Sequence, residues 1–276
     1  MIKPRPHLSM IVKPKRPLQR PPMTIAAGFR CQNGIALCSD SQYTTWYGKH
    51  HGAKIIQAFA KNGTILAAFA GLTDHIGMVK EKIEKATEGL EVSLHSVESL
   101  VCSFLDSLSP RENEMFQMLT AFHLREGNSF HLYVSNRMVD TPSTFCPIRR
   151  CEIIGCGSSP LTDYLVGLFE RFPAFSIEQI GLLGMYLVRQ AEKYGEGAGG
   201  EAQICALNER GIAVAPYRGL VEEKERLLKE GEGDIALLLF NLIDDRISED
   251  DFDSTLQTLC SRMKNFRRKL RESPIF

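Results

Sequence analysis

The chain has 276 residues, 43% of them hydrophobic and 24% charged, enough to form one large globular domain or one domain with an appendage. Its 33 basic and 33 acidic side chains balance, but six bases and no acid lie within residues 1–22, which leaves 27 bases against 33 acids in the remainder. The acidic remainder argues against nucleic-acid binding. No apolar run is long enough for a membrane helix or an export signal, so we expect a cytoplasmic protein without a membrane partner.

The eight cysteines are scattered along the chain and predict reduced thiols rather than a disulfide framework. Cys146, Cys151 and Cys156 recur at every fifth position, but no CxxC pair occurs and no histidine follows His131. Metal sites in proteins usually show such pairs or closely spaced histidines. The sequence therefore predicts neither a metal site nor a cofactor.

The first 23 residues form a leader that is distinct from the rest of the chain. Residues 1–22 contain six of the 13 prolines and few apolar side chains, a composition typical of an extended segment. From Thr24 onward, two short apolar runs are separated by Asn33 and Gly34, which is a strong hairpin signal. We expect the folded body to begin at Thr24.

Later elements follow from apolar spacing and from turn residues. Strands are predicted at 64–70, 118–124, 130–134, 151–154, 202–207 and 212–215. Helices are predicted at 72–86, 92–108, 161–172, 177–194, 222–229 and 251–270. Strands clustered in hairpins and helices arriving in pairs predict an α+β fold, a four-layer αββα sandwich of two stacked antiparallel sheets flanked by helix pairs. Residues 24–218 form the predicted core, and the charged residues 219–276 form a helical extension.

Four ordered segments of this core resemble a known family. They are TIAAGF from Thr24, GIALCSDSQYT at 34–44, GAKI at 52–55 and AFAG at 68–71. These segments are similar to segments of proteasome β-type subunits and of the bacterial proteasome-like peptidase that works with a heat-shock unfoldase, both in the N-terminal-nucleophile (Ntn) hydrolase superfamily. The resemblance implies the Ntn-hydrolase fold, a polypeptide substrate, a homo-oligomer and an ATP-dependent unfoldase as partner.

The resemblance also implies catalytic roles for individual residues. Thr24, once it is the amino terminus, would be the nucleophile, and its α-amine would be the general base, because an α-amine has a pKa near 7.7–8.0. Lys54, kept charged by Asp40, would lower the proton affinity of the threonine hydroxyl. The backbone N–H of Gly71 would donate to the oxyanion.

Substrate contacts are implied at four further positions. Thr44, together with Gly71, would hold an extended peptide by β-augmentation. Tyr43, Phe69 and Thr73 occupy positions at which the family forms its first specificity pocket.

Two later segments depart from the family pattern. Cys156, in Gly155-Cys156-Gly157, replaces a serine; it either lines the site or is a small residue in a tight turn, and Ser158 and Ser159 are nearby substitutes. The segment GEGAGG at 195–200 lacks the aspartate and serine that assist the threonine amine, with Ala198 where the serine would be. Glu196 is either a replacement carboxylate or part of a structural loop.

The start of the chain has two interpretations. If translation begins at Met1, residues 1–23 are a propeptide that masks Thr24; if it begins at Met23, removal of one methionine exposes the threonine. Met23, in place of the family's usual glycine, favours the internal start. The leading functional hypothesis is a threonine peptidase, with a catalytically silent proteasome-like scaffold and a small-molecule amidase as alternatives.

Overall fold

The structure is a computed structural model that describes residues 24–45, 48–71, 73–108, 116–138, 141–155, 167, 175–194, 198–243 and 247–276. Several predictions lie outside these residues. They are the leader 1–23, the helix at 161–172 apart from residue 167, and the candidate residues Cys156, Ser158, Ser159 and Glu196.

The first sheet has five antiparallel strands in the order β10-β1-β2-β11-β12. Its strands are β1 (Ile25–Cys31), β2 (Gly34–Asp40), β10 (Cys151–Gly155), β11 (Ala202–Leu207) and β12 (Ala213–Val214). The predicted hairpin at Asn33 and Gly34 joins β1 to β2, with Cys31 opposite Gly34. The beginning of β1 and the end of β2 therefore lie side by side at one end of this sheet.

The second sheet also has five antiparallel strands, in the order β5-β6-β7-β8-β9. They are β5 (Ile55–Ala60), β6 (Gly63–Ala70), β7 (Phe116–Leu124), β8 (Ser129–Arg137) and β9 (Cys146–Pro147). A separate hairpin of β3 (Gln42–Thr45) and β4 (Gly48–His51) connects the sheets in sequence. The sequence did not predict this hairpin, because β4 is exposed along its length and has no apolar alternation.

Helices cover the outer face of each sheet. On the second sheet, α1 (Thr73–Thr87) and α2 (Leu94–Asp106) enclose an apolar layer that includes Val97, Val101 and Phe122. On the first sheet, α3 (Ile177–Tyr194) and the start of α4 (Arg218–Ile243) enclose a second layer. A third layer, which includes Leu37 and Leu66, lies between the two sheets. The arrangement is the predicted four-layer αββα sandwich.

The C-terminal part is more helical than predicted. Helix α4 has 26 residues instead of the eight at 222–229, and α5 spans Glu249–Glu272. Leu220 and Val221 at the start of α4 are buried against the body. The backbone N–H groups of Ile275 and Phe276 donate to Glu178 on α3, which fastens the segment after α5. None of the described helices is both long and apolar enough to cross a bilayer.

Candidate active site at the end of the first sheet

Thr24 and Asp40 lie together because β1 begins where β2 ends. The strands pair with Ala26 opposite Ser39, and the backbone N–H of Ile25 donates to Asp40 Oδ1 at 3.1 Å. Thr24 is only 5% exposed and Asp40 is fully buried. The β1–β2 hairpin therefore places a hydroxyl and a carboxylate at one buried point.

Lys54 joins these two residues from the segment before β5. Its side chain is fully buried, and Nζ donates to Asp40 Oδ1 at 2.7 Å and to Thr24 Oγ1 at 2.9 Å. A buried ion pair recovers its desolvation cost only when its polar atoms are well hydrogen-bonded, as they are here. The arrangement aims a positive charge at the threonine oxygen, which stabilises that oxygen as its proton leaves.

The ring of Tyr43, on β3, covers one side of the Lys54 ammonium group. Lys54 Nζ lies 5.1 Å from the centroid of the tyrosine ring, and the phenol donates to the carbonyl of Ala53 at 2.6 Å. Burial, reinforced by the negative charge of Asp40, raises the pKa of Tyr43 to about 12. The phenol thus remains a neutral donor beside the ion pair; its predicted role in a specificity pocket stays a prediction.

A glycine loop completes the hydrogen bonding of Asp40. The backbone N–H of Gly199 donates to Asp40 Oδ2 at 3.1 Å, while the carbonyl of Gly199 accepts from the N–H of Gln42 at 2.9 Å. Both carboxylate oxygens of Asp40 are therefore occupied. Ala198, at the position where the family has a serine, is buried and brings no hydroxyl, but the loop that contains it does reach the site.

Helix α4 holds this loop from the other side. Glu225 accepts the backbone N–H of Ala202 at 3.1 Å, and Arg218 forms an ion pair with Glu201. Burial raises the pKa of Glu225, against the lowering effect of the hydrogen bond from Ala202. The loop that supports Asp40 is thus tied to the predicted C-terminal extension.

Gln203 fixes the backbone that carries Lys54. Its Oε1 accepts the N–H of Lys54 at 2.8 Å, and its Nε2 donates to the carbonyl of Gly52 at 2.7 Å. One amide side chain on β11 therefore holds the backbone of Lys54 against the first sheet.

Gly155 lies against the backbone of Thr24, and Gly71 follows a residue that Gly155 approaches. Gly155 has a φ of +92°, and a Cβ there would overlap the carbonyl oxygen of Thr24 and lie 3.1 Å from the Cβ of Ala70. Gly71, the next residue after Ala70, has a φ of +155°, and a Cβ there would lie 2.6 Å from the ring of Phe116. Gly71 therefore follows directly after Ala70, which lies near Gly155 at the end of β10, the residue that approaches Thr24.

The other predicted site residues are placed differently. Phe69 is fully buried in the layer under α1 and α2, where its ring packs on Phe116 with centroids 6.0 Å apart. Thr44 lies on β3 opposite Lys49, and Thr73 is the first residue of α1, but their side chains are not described. The structure thus brings together Thr24, Asp40, Lys54 and Tyr43; the roles of all the candidate residues stay predictions.

Sequence reasoning missed the supporting groups Gly199 and Gln203. The N–H of Gly199 has no residue-type signal, because every residue except proline carries one. Gln203 lies in an apolar strand, AQICAL, and this single polar residue was the available signal. Among the described residues, no group of three or more His, Cys, Asp or Glu side chains gathers in a way that could hold a metal ion.

No protein-family model matches the chain, and no curated protein matches it. Solved structures do. Anbu (ancestral beta-subunit) from Yersinia bercovieri is 12% identical, with a TM-score of 0.58 over 78% of this chain and 97% of that one. The Anbu complex of Pseudomonas aeruginosa, described as a helical assembly, is 12% identical, with a TM-score of 0.57 over 77% and 95%. Anbu from Hyphomicrobium sp. strain MC1 is 11% identical, with a TM-score of 0.58 over 80% and 99%.

These matches correct the family assignment drawn from the sequence. The assignment to proteasome β-type subunits or to the bacterial proteasome-like peptidase is wrong, because the similar solved structures are Anbu proteins and no family model supports the assignment. At 10–12% identity the likeness establishes the fold alone. The chain has the four-layer αββα fold, which it shares with these Anbu structures.

Proposed function

We propose that this protein is a threonine-type peptidase in which Thr24, freed as an amino terminus, is the nucleophile. The observation that carries the proposal is the buried contact of Lys54 Nζ with both Thr24 Oγ1 and Asp40 Oδ1. A lysine that only needed a counter-ion would be satisfied by the carboxylate. Lys54 also donates to the hydroxyl of Thr24, which would be an amino-terminal nucleophile once the preceding residues are removed.

The proposed chemistry uses groups of this site together with the α-amine that removal of the preceding residues would free. Thr24 Oγ attacks the carbonyl carbon of a peptide bond while the free α-amine of Thr24 takes the hydroxyl proton. The resulting oxyanion accepts the N–H of Gly71, a contact often worth about 10² to 10³ in rate. The amine then returns the proton to the leaving nitrogen, and the peptide bond breaks to leave an ester on Thr24. Water, deprotonated by the same amine, hydrolyses the ester and restores the hydroxyl.

An extended polypeptide is the substrate that best suits the surroundings. Among the described strands, β3 pairs with β4 alone, and Thr44 belongs to β3. A peptide that added to this strand and to the backbone at Gly71 would be held by main-chain hydrogen bonds, with side-chain pockets for selectivity. Tyr43, Phe69 and Thr73 belong to the proposal as residues of such a pocket.

Self-assembly is part of the same proposal. The Pseudomonas aeruginosa Anbu complex is described as a helical assembly, and this chain shares its fold. We infer that copies of this chain also associate with one another. An ATP-dependent unfoldase as partner stays a prediction that no observation of the structure supports.

A catalytically silent scaffold is the second candidate. It is favoured by Ala198, which is buried in the supporting loop and contributes no hydroxyl near the threonine. On this alternative, the bonds among Thr24, Asp40 and Lys54 only stabilise the end of the sheet.

The test uses the native full chain, a peptide epoxyketone that captures the hydroxyl and amine of an amino-terminal threonine, and intact mass spectrometry. The expected result is a mature chain that begins at Thr24, one label on Thr24, and cleavage of unfolded protein that Thr24→Ser partly retains and Thr24→Ala abolishes. A chain that keeps the residue before Thr24 and takes no label would overturn the proposal in favour of the scaffold. Hydrolysis of small amides but not of polypeptides would identify an amidase.

A further inference from the structure

One face of α5 has charged residues spaced symmetrically about its centre, with acids on one side and bases on the other. Glu249 and Asp253 precede Cys260 by 11 and seven residues, and Arg267 and Arg271 follow it by seven and 11. At 3.6 residues per turn these spacings are close to two and three whole turns, so all five residues share one face of the helix. This face, called here the Cys260 face, has acids at its beginning, bases at its end and the cysteine at its centre.

The Cys260 face is exposed. Its five residues are all solvent-accessible, and within the described chain none of its four charged side chains forms an ion pair. Leu256 and Met263, beside the central cysteine, are only partly buried, with Met263 36% exposed. A partly apolar centre with unpaired charges on both sides is available for contact.

The opposite side of α5 is already used by α4. Leu259 is 3% exposed, Arg262 pairs with Asp234 at 2.6 Å, and the ring of Phe266 packs against Gly231. Successive residues turn by about 100° around a helix, so Cys260 points well away from the buried Leu259. Packing on α4 therefore does not occupy the Cys260 face.

We propose that the Cys260 face is a self-association surface on which two copies of this chain pair through antiparallel α5 helices, across a two-fold axis close to Cys260. In that register Asp253 lies opposite Arg267 of the second copy, and Glu249 lies opposite Arg271 of the second copy, each pair occurring twice. A two-fold contact requires such self-complementarity. A parallel pairing would set like charges against each other.

Charge selects a second copy over other occupants. A nucleic acid or an anionic lipid surface would be attracted to Lys264, Arg267 and Arg271 but repelled by Glu249 and Asp253 on the same face. Only a partner with the reversed charge order suits both ends, and this chain is such a partner. Because the charges are exposed, the association weakens as salt rises.

The inference rests on the proposed self-assembly but not on the proposed peptidase chemistry. The test treats the full chain with a short bis-maleimide and measures the crosslinked dimer at low and high salt. We expect a dimer that is lost in Cys260→Ser, is kept in Cys146→Ser and falls with salt. Cys146 is the matched control, because it is also exposed.

Charge reversal tests the register. Glu249→Lys with Asp253→Lys, or Arg267→Glu with Arg271→Glu, should each lower the dimer about tenfold or more, because like charges then meet across the axis. Mixing the two variants should restore crosslinking between them, and Glu81→Lys on α1 should change nothing. All substituted side chains are exposed, and circular dichroism checks folding.

Three outcomes would overturn the inference: no Cys260 crosslink in an assembled wild type, crosslinking in both reversed variants as strong as in the wild type, or no recovery on mixing. A wild type that sediments as a monomer at all concentrations would instead refute the proposed self-assembly itself.

Discussion

No side chain fits at Gly155, because a Cβ there would overlap the carbonyl oxygen of Thr24. The close approach ties the end of β10 to the residue proposed as nucleophile, through the register that sets Gly155 opposite Ile25. The N–H of Gly155 is held in turn by Gln117 at 2.8 Å. The position of Thr24 therefore depends on a strand that follows it by more than a hundred residues.

Gly155→Ala should move Thr24 and abolish labelling by the epoxyketone. The substitution adds about 1–2 kcal/mol of left-handed backbone strain, and the overlap with Thr24 adds to it. Gly89→Ala is the control, because its φ of +79° is similar and nothing lies within 4 Å of the added Cβ. Denaturant unfolding should show a loss of stability in both variants, but labelling of Thr24 should be lost in Gly155→Ala alone. If the two variants behaved alike, the close approach of Gly155 to Thr24 would be contradicted.

Lys54→Met should lower the free energy of unfolding by about 3–5 kcal/mol, because Asp40 is left buried without its cation. Labelling of Thr24 should also be lost. Adding Asp40→Asn should recover part of the stability by removing the unpaired charge, but not the labelling. Lys85→Met, which removes an exposed partner of Glu81, should leave both measurements unchanged. A Lys54→Met protein as stable as wild type would argue against the buried pair.

Tyr43→Phe should change how stability depends on alkaline pH. The folded phenol has a pKa of about 12 against an ordinary value of 10.0. Between these values the unfolded chain has lost a proton that the folded chain keeps, so the wild type loses stability as pH rises from 10 to 12. The variant lacks this loss, and the stability difference between the two proteins should shrink or reverse. Tyr217→Phe, in an exposed ring, is the comparison; parallel profiles for Tyr43→Phe and wild type would refute the burial.

Glu225→Ala should loosen the loop that supports Asp40. The N–H of Ala202, which is 5% exposed, would lose its acceptor at a cost of about 1–3 kcal/mol. Hydrogen exchange at Ala202 and Gly199 should accelerate, and labelling of Thr24 should fall. Glu225→Gln keeps an acceptor oxygen and should behave nearly as wild type. Glu223→Ala, at an exposed position of α4, is the control. Unchanged hydrogen exchange in Glu225→Ala would show that α4 does not support the loop.

Local signals were sufficient for much of the fold. Asn33 and Gly34 between two apolar runs predicted the β1–β2 hairpin, and helical spacing predicted α3 with the bounds that the structure shows. The hairpin of β3 and β4 was missed, because residues 48–51 are exposed and carry no alternation. Helix α4 was predicted too short, since it continues past residue 229 through Gly231, against which the ring of Phe266 packs.

The grouping of strands and helices along the sequence was sufficient to predict the αββα layering, and ordered segments pointed to Thr24, Asp40 and Lys54 as candidate residues. How these residues are supported became visible only in the folded chain. Gly199 serves through a backbone N–H that any residue type could supply, and Gln203 reaches Lys54 across 149 positions of chain. Side-chain patterns report periodic burial along a strand or helix, whereas single backbone contacts between distant segments depend on register and leave no periodic trace.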